Sequence, residues 1–321
     1  MRKFFIAFII FGGSLLFLSC DENVNCYGDL KEGYVLNCII RSDTTFQTVT
    51  LSKTYLLDNF DPYSDPESHA VEDATIRIWK SNDSVAVLSD TSIAEPENSA
   101  YEGEYKLYYT NSFQPESNSA ISIEALLPDG TRLQSSIKVP AKVTMKSIAE
   151  KIPLDDKGAI NIIWNTDQEN PIFISKMYII YSINETNIRY KKIVPLSYVS
   201  YNNTALPIYP TPTSQNYISL SMGTMDKVME SISAGDSDKS KYIILSFKIE
   251  IISLSEELSK YYNSTNRSLD TYSVKLNETD YSNITNGYGI FGAYVRKYAG
   301  IRFTHAYIES FGYTPGVSDV E

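Results

Sequence analysis

Short segments in which apolar and polar residues alternate recur along most of this chain, and this period of two is typical of half-buried β-strands. The pattern begins with residues 34–40 and 48–54, which are separated by a polar turn. Five more such segments precede Pro140, at residues 74–79, 85–88, 103–109, 120–127 and 133–139. Seven short strands in this range predict an antiparallel immunoglobulin-like sandwich over residues 33–142.

The alternation resumes after Pro140 and predicts a second sandwich over residues 143–313. A strand with a central Trp164 is followed by a long Tyr-rich partner strand at 173–183, and the two resemble the B and C strands of fibronectin type III-like sandwiches. Further strands are predicted at 143–148, 188–196, 217–222, 242–252 and from 286 onward, with short helices at 226–232 and from Ser255. The predicted fold is therefore all-β, with two tandem antiparallel β-sandwiches, one or two short inserted helices and a tail at 314–321.

Composition agrees with a folded β-rich chain. Its 321 residues suffice for two domains, and 43% hydrophobic with 21% charged residues is typical of globular proteins. The 25 tyrosines also favour strands. The formal net charge is −11, and no basic cluster interrupts it, so the surface repels phosphate backbones and nucleic acid is not expected as a partner.

The N-terminus has the layout of a secretory signal peptide over residues 1–19. Arg2 and Lys3 precede an uncharged, largely apolar run from Phe4 to Leu18, which is too short for a membrane span. Because small Ser19 comes directly before Cys20, the segment resembles the bacterial lipoprotein signal, in which this cysteine is acylated and becomes the new N-terminus. The alternative is an ordinary cleaved signal with an incidental cysteine.

Residues 20–32 are predicted to form a lipidated tether. Acidic residues follow Cys20 at Asp21 and Glu22, and they partly resemble the surface-export signals of lipoproteins in the Bacteroidota. Acyl chains contribute about 0.8 kcal/mol per buried CH₂, so several chains anchor a protein without a transmembrane helix. The predicted location is the bacterial outer membrane, with the protein facing the cell surface.

Two cysteines remain once Cys20 is assigned to the lipid. Cys26 and Cys38 are an even pair in a compartment that permits disulfides, and a loop of this size would stabilise the chain by about 3 kcal/mol. The alternative is two separate thiols, with Cys38 packed inward on its strand. A zinc site is not expected, because the only histidines, His69 and His305, are not in ligand spacing.

Candidate chemistry is sparse elsewhere. Asp58, Asp61 and Asp65 share one polar loop whose oxygens would suit Ca²⁺, although the spacing matches no EF-hand and a solvated acidic loop is the alternative. No nucleophile elbow accompanies the histidines, and we expect no enzyme activity and no other cofactor. Tyrosine pairs such as Tyr261-Tyr262 could present rings to a glycan or peptide, or could serve the sheets alone. The glycines Gly287, Gly289 and Gly292 precede a strand, so backbone conformation explains them better than a phosphate cradle.

Three segments together indicate a family. The lipoprotein leader, the strand pair over 34–40 and 47–54, and the glycine-rich segment 284–293 resemble uncharacterised Bacteroidota lipoproteins that are often encoded beside TonB-dependent outer-membrane receptors. The resemblance implies sandwich domains and a non-enzymatic accessory or binding role with such a receptor, and it supplies no catalytic residues. An adhesin or cell-envelope assembly subunit is the alternative. The tripeptides that start at Asp43 and Asp83 also resemble the O-glycosylation sequons of this phylum, which makes Thr44 and Ser84 candidate acceptors.

Overall fold

Strands dominate the computed structural model, which describes residues 33–54, 69–80, 84–94, 104–153, 158–184, 186, 188–202, 204–265 and 281–317. In this part of the chain, several sheets are accompanied by three short α-helices. The all-β class predicted from the alternating pattern is confirmed. The predicted signal peptide at 1–19 and tether at 20–32 lie outside the described residues.

The first half of the chain supplies two facing sheets. Its strands are β1 (Tyr34–Arg41), β2 (Gln47–Lys53), β3 (Thr75–Lys80), β4 (Ser84–Val87), β5 (Ser89–Ala94), β6 (Glu104–Thr110), β7 (Ala120–Leu126) and β8 (Arg132–Lys138). One sheet contains β1, β2, β6 and β5 in that order, and the other contains β4, β3, β7 and β8. Along β8 every second residue is buried, as the period of two requires. Residues such as Leu36, Ile76 and Ile123 form the first core between these sheets.

In the described part of the second half there are eleven strands and three α-helices. They are β9 (Thr144–Ser147), β10 (Lys151–Ile152), β11 (Ala159–Asn165), β12 (Ile172–Ile183), β13 (Tyr190–Ile193), β14 (Ser197–Tyr201), β15 (Thr204–Ile208), β16 (Tyr217–Ser221), α1 (Met222–Glu230), β17 (Tyr242–Leu254), α2 (Glu256–Thr265), β18 (Tyr288–Phe303), α3 (His305–Ser310) and β19 (Thr314–Pro315). One sheet has the order β16, β11, β9, and another contains β13, β12, β17 and β18.

The two strands likened to fibronectin strands B and C lie in different sheets. β11 pairs with β16 and β9, whereas β12 pairs with β17 and β13. The rings of Trp164 and Phe173 meet edge to face with centroids 5.4 Å apart, and both side chains are fully buried. They form the second core together with residues such as Met177 and Phe247. The strands are therefore partners across the core rather than along a hydrogen-bonded ladder.

The helices and the C-terminus refine the sequence predictions. α2 begins where the Ser-Glu-Glu pattern indicated, while α1 begins at Met222 because the Ser221 hydroxyl accepts a hydrogen bond from the Thr224 N–H at 3.2 Å. The sequence Phe303–Tyr307 around His305 is strand-like and predicts a continuing strand. This prediction is wrong, because Thr304 caps helix α3 there by accepting a hydrogen bond from the Tyr307 N–H at 3.3 Å. Within the predicted tail, Thr314–Pro315 pairs with β17.

A single sixteen-residue strand, β18, is hydrogen-bonded to both halves of the chain. Its first part runs parallel to β1, from Val35 opposite Tyr288 to Arg41 opposite Tyr294. Its second part runs antiparallel to β17, from Leu254 opposite Tyr294 onward. The result is a ten-stranded sheet, and residues 33–321 group into one compact unit. Hydrogen bonding therefore continues from one predicted sandwich into the other.

Two glycines of β18 lie where the backbone conformation or a close neighbour leaves no room for a larger residue. Gly289 has φ +106°, and a methyl group there would overlap the Leu36 carbonyl of β1. At Gly292 a methyl group would lie 2.9 Å from the Leu258 Cβ of α2, which is closer than carbon atoms pack. Both glycines allow β18 to approach its neighbours closely.

We expect Gly289→Ala to lower the free energy of unfolding by about 2–3 kcal/mol, because the substitution combines a disfavoured φ with a backbone overlap. The matched control is Gly223→Ala in α1, where an added methyl group meets nothing within 4 Å and alanine should stabilise the helix by up to about 1 kcal/mol. Chemical denaturation of both variants measures the difference. Equal stabilities would contradict the pairing of β1 with β18.

Candidate functional site

Arg296 is the centre of a partly buried charged network at the junction between β1, β17 and β18. Its Nε lies 2.7 Å from Glu250 Oε1 on β17, and its Nη1 lies 3.2 Å from Asp43 Oδ2 in the turn after β1. Asp43 also forms an ion pair with Arg41, whose Nε lies 3.2 Å from Asp43 Oδ1. Because the side chains of Arg296 and Glu250 are only 19% and 10% exposed, their ion pair is shielded from solvent.

Tyrosines surround this ion pair on the same face of the sheet. Arg296 donates to the hydroxyl groups of Tyr294 and Tyr298 at 3.1 and 3.0 Å, and its guanidinium lies 5.4 and 5.7 Å from their ring centroids. The hydroxyl groups of Tyr298 and Tyr178 donate to Glu250 at 3.4 Å. Burial, followed by the negative charge of Glu250, raises the pKa of both tyrosines, so they remain neutral donors.

A cleft of about 900 Å³ opens beside Arg296. Its wall includes Val295, Arg296 and Lys297 of β18, the turn at Ser42 and Asp43, residues 114–117 and the connection 142–144. The volume is within the range of ligand-binding pockets. Both carboxylates of the lining are engaged, Asp43 with two arginines and Glu116 with Lys80 at 2.5 Å. In the described part of the chain no ion pair forms at Lys142 or Lys297, so the cleft carries residual positive charge.

A second surface is the hairpin formed by β14 and β15, which is a two-stranded sheet of its own. Val199 pairs with Leu206, and Ser197 pairs with Ile208. Cross-strand partners share a face, so these side chains point to one side, while Tyr198 points to the other and packs on the second core. Val199, Leu206 and Ile208 are 41–45% exposed.

Apolar exposure is concentrated around this hairpin in sequence. Of the sixteen large apolar side chains that are exposed in the described ranges, nine lie between residues 188 and 217. The outward face of a hairpin ordinarily carries polar residues. Here the outward face carries Val199, Leu206 and Ile208, while Tyr198 packs inward. This concentration makes the hairpin a candidate contact surface.

Most of the site residues predicted from the sequence lie outside the described ranges. This applies to Cys20 of the predicted lipidation site, to Cys26 of the predicted disulfide, and to Asp58, Asp61 and Asp65 of the predicted calcium loop. Over the described ranges, no group of three or more His, Cys, Asp or Glu side chains could hold a metal ion.

The remaining candidates are in the first sandwich. Cys38 is 1% exposed on β1, and burial raises the pKa of its thiol. Its bond to Cys26 stays a prediction, because Cys26 lies outside the described residues. Thr44 is half-buried in the turn after β1, where its hydroxyl accepts from the Phe46 N–H at 3.1 Å. Ser84 is the first residue of β4. The structure does not bring these three residues together with the Arg296 network into one site.

Sequence reasoning missed both the charged network and the hairpin. The network unites Asp43, Glu250 and Arg296 from three distant segments, and no local pattern connects them. The hairpin did leave a signal, since Asn202-Asn203 separates two short β-prone segments and asparagine tolerates the positive φ of tight turns. Asn202 indeed has φ +48°.

These features define an all-β protein with a mixed-charge cleft and an exposed apolar hairpin. The chain belongs to the family described as domain of unknown function DUF4249, whose model matches residues 26–298. None of the curated proteins matches the sequence. In the described part of the chain, the helices are all too short or too polar to cross a bilayer.

We expect Arg296→Met to lower the free energy of unfolding by about 3 kcal/mol, because Glu250 would remain buried without its partner. Removing both charges in Arg296→Met with Glu250→Gln should recover part of this loss. The control is Lys260→Ala, whose ion pair with Glu256 is solvent-exposed and should contribute little to stability. Urea denaturation compares the variants, and an Arg296→Met cost as small as that of the control would contradict the network's role.

Proposed function

We propose that this protein is a lipid-anchored, non-enzymatic accessory or binding subunit of the bacterial outer membrane. Cys20 is its acylation site and residues 20–32 are its tether to the membrane. Its partner in this proposal is a TonB-dependent nutrient receptor, which is a β-barrel protein. The observation that carries the proposal is the outward apolar face of the β14–β15 hairpin.

The hairpin supports a protein contact for a physical reason. Val199, Leu206 and Ile208 are each exposed by about two-fifths, although burial of such side chains is worth about 1.5–3 kcal/mol apiece. Cross-strand pairing holds the side chains on a preformed surface, which limits the ordering cost of association. An apolar, rigid and locally uncharged face suits a stable protein partner better than a soluble sugar.

The anchor is supported by the sequence of the leader, in which Ser19 and Cys20 follow the apolar run from Phe4 to Leu18. A lipid at Cys20 would confine the folded domains to the membrane surface. Confinement raises the effective concentration of the hairpin at a membrane-embedded partner, so a modest interface suffices for binding.

We expect Cys20→Ser to release the protein from membranes or to leave it as an unprocessed precursor, because no thiol remains for acylation. Fractionation of cells that express full-length wild type and variant, followed by mass measurement of the mature N-terminus, tests this expectation. A variant that fractionates with outer membranes as the wild type does would refute the anchor.

We expect Leu206→Lys with Ile208→Lys to abolish co-purification of a stoichiometric β-barrel receptor from detergent-solubilised outer membranes, because two charges would enter the apolar face. The matched control is Val85→Lys with Val87→Lys, which changes two exposed valines of β4 (57% and 60%) in the first sandwich. The control should retain the receptor. Retention of the receptor by the hairpin variant, or loss of the receptor by both variants, would exclude the hairpin as the contact. A wild-type protein that purifies without a β-barrel partner would favour an adhesin or a cell-envelope assembly subunit.

A further inference from the structure

An open strand edge of β18 begins in the cleft beside Arg296 and continues towards β10. β1 and β10 both pair in parallel with β18, but β1 ends opposite Tyr294 and β10 begins opposite Arg302. Between these positions β18 continues without a register shift along β17 on its other side. The edge of β18 that faces β1 and β10 is therefore uncovered by both strands from residue 295 to residue 301.

The direction of the backbone groups along this edge follows from bonds on either side of the gap. The Ser42 N–H donates to the Tyr294 carbonyl at 3.3 Å, and the Thr304 N–H donates to the Ile152 carbonyl at 2.8 Å. Even-numbered residues of β18 thus point to this edge, because successive residues of a strand direct their backbone groups to alternate edges. The odd-numbered Ala293 confirms the alternation, since its carbonyl accepts from Ser255 on the opposite edge at 2.8 Å.

Arg296, Tyr298 and Gly300 therefore direct three N–H and three C=O groups into the gap. Among the described residues, no hydrogen bond is made to any of these six backbone groups. Proteins ordinarily cover or bend away such an edge, because it is a template for another strand. Here the edge instead borders a cleft of about 900 Å³.

We propose that this cleft binds an extended peptide segment with acidic side chains, which adds to β18 between β1 and β10. Alternating donors and acceptors on a strand edge are matched by another extended backbone, as in β-augmentation. Lys142 and Lys297 line the cleft, whereas Asp43 and Glu116 are already held by basic side chains. The residual charge therefore favours carboxylates on the ligand.

The proposed peptide site goes beyond the accessory role, because it uses β18 rather than the β14–β15 hairpin and requires no membrane receptor. Loss of receptor binding in the hairpin variant and loss of peptide binding in a cleft variant are separate results. Either proposal can fail while the other stands.

The test uses the full-length protein in detergent micelles and fluorescein-labelled hexapeptides of alternating Val and Glu. Fluorescence anisotropy should show saturable binding with a Kd of about 1 mM or tighter. A second peptide with Lys in place of Glu should bind at least about tenfold more weakly. Absence of saturable binding by the Val/Glu peptide up to about 1 mM overturns the proposal. In that case the charge of Lys297 serves to hinder the pairing of other strands with this edge.

Backbone methylation distinguishes strand addition from simple charge attraction. Two Val/Glu peptides carry N-methyl groups at alternate positions, one at the second and fourth residues and the other at the third and fifth. Alternation of the side chains fixes which face enters the cleft, so only one of the two peptides should lose affinity, by about tenfold or more. Equal affinities of both methylated peptides and the parent would refute pairing with β18.

Charge variants locate the site. Lys142→Glu with Lys297→Glu should weaken binding of the Val/Glu peptide at least about tenfold. The matched control, Lys53→Glu with Lys146→Glu, makes the same change in net charge at two exposed lysines outside the lining of the cleft. Equal weakening by both variants would show a response to overall charge and would overturn the assignment to the cleft.

Discussion

The pairing of β18 with two different strands is the constraint on which the rest of the structure depends. Its N-terminal part closes one edge of the first sandwich by parallel pairing with β1, and its C-terminal part belongs to the second sandwich by antiparallel pairing with β17. The pairing with β1 ends at Tyr294, and the pairing with β17 begins at the same residue. Gly289 allows the close approach of β18 to β1, and Gly292 leaves room for Leu258 of α2.

The candidate site follows from this change of partner. β1 turns away after Arg41, so Asp43 comes within 3.2 Å of Arg296, and β17 contributes Glu250 from the other side. The ion pairs therefore join three segments at the point where the two sandwiches meet, which is why their loss should affect stability. Among the described residues, the same turn leaves the next part of β18 without a strand partner on one edge, so the junction both holds the fold together and borders the cleft.

The sequence predicted local features of the fold better than its long-range features. Alternation identified most strands, and the Ser-Glu-Glu pattern identified α2, because these signals arise within a few residues. The change of partner along β18 could not be predicted, because its pairing with β1 joins residues that are far apart in sequence. The Ile290 N–H, for example, donates to the Asn37 side chain across 253 residues. Arg296 and Glu250 looked like ordinary strand charges. The hairpin carried a recognisable turn, but its outward face could be assigned only after Tyr198 was placed on the second core.

Residue-resolved amide hydrogen exchange along β18 tests the shared strand most directly. We expect alternation along this strand. The amides of Val295, Lys297 and Ala299, which pair with β17, should exchange slowly, while those of Arg296, Tyr298 and Gly300 should exchange rapidly. The flanking amides of Tyr294 and Arg302, which face β1 and β10, should again be protected. Uniform protection or uniform exposure from residue 295 to residue 300 would contradict a strand that changes partners and leaves one edge open.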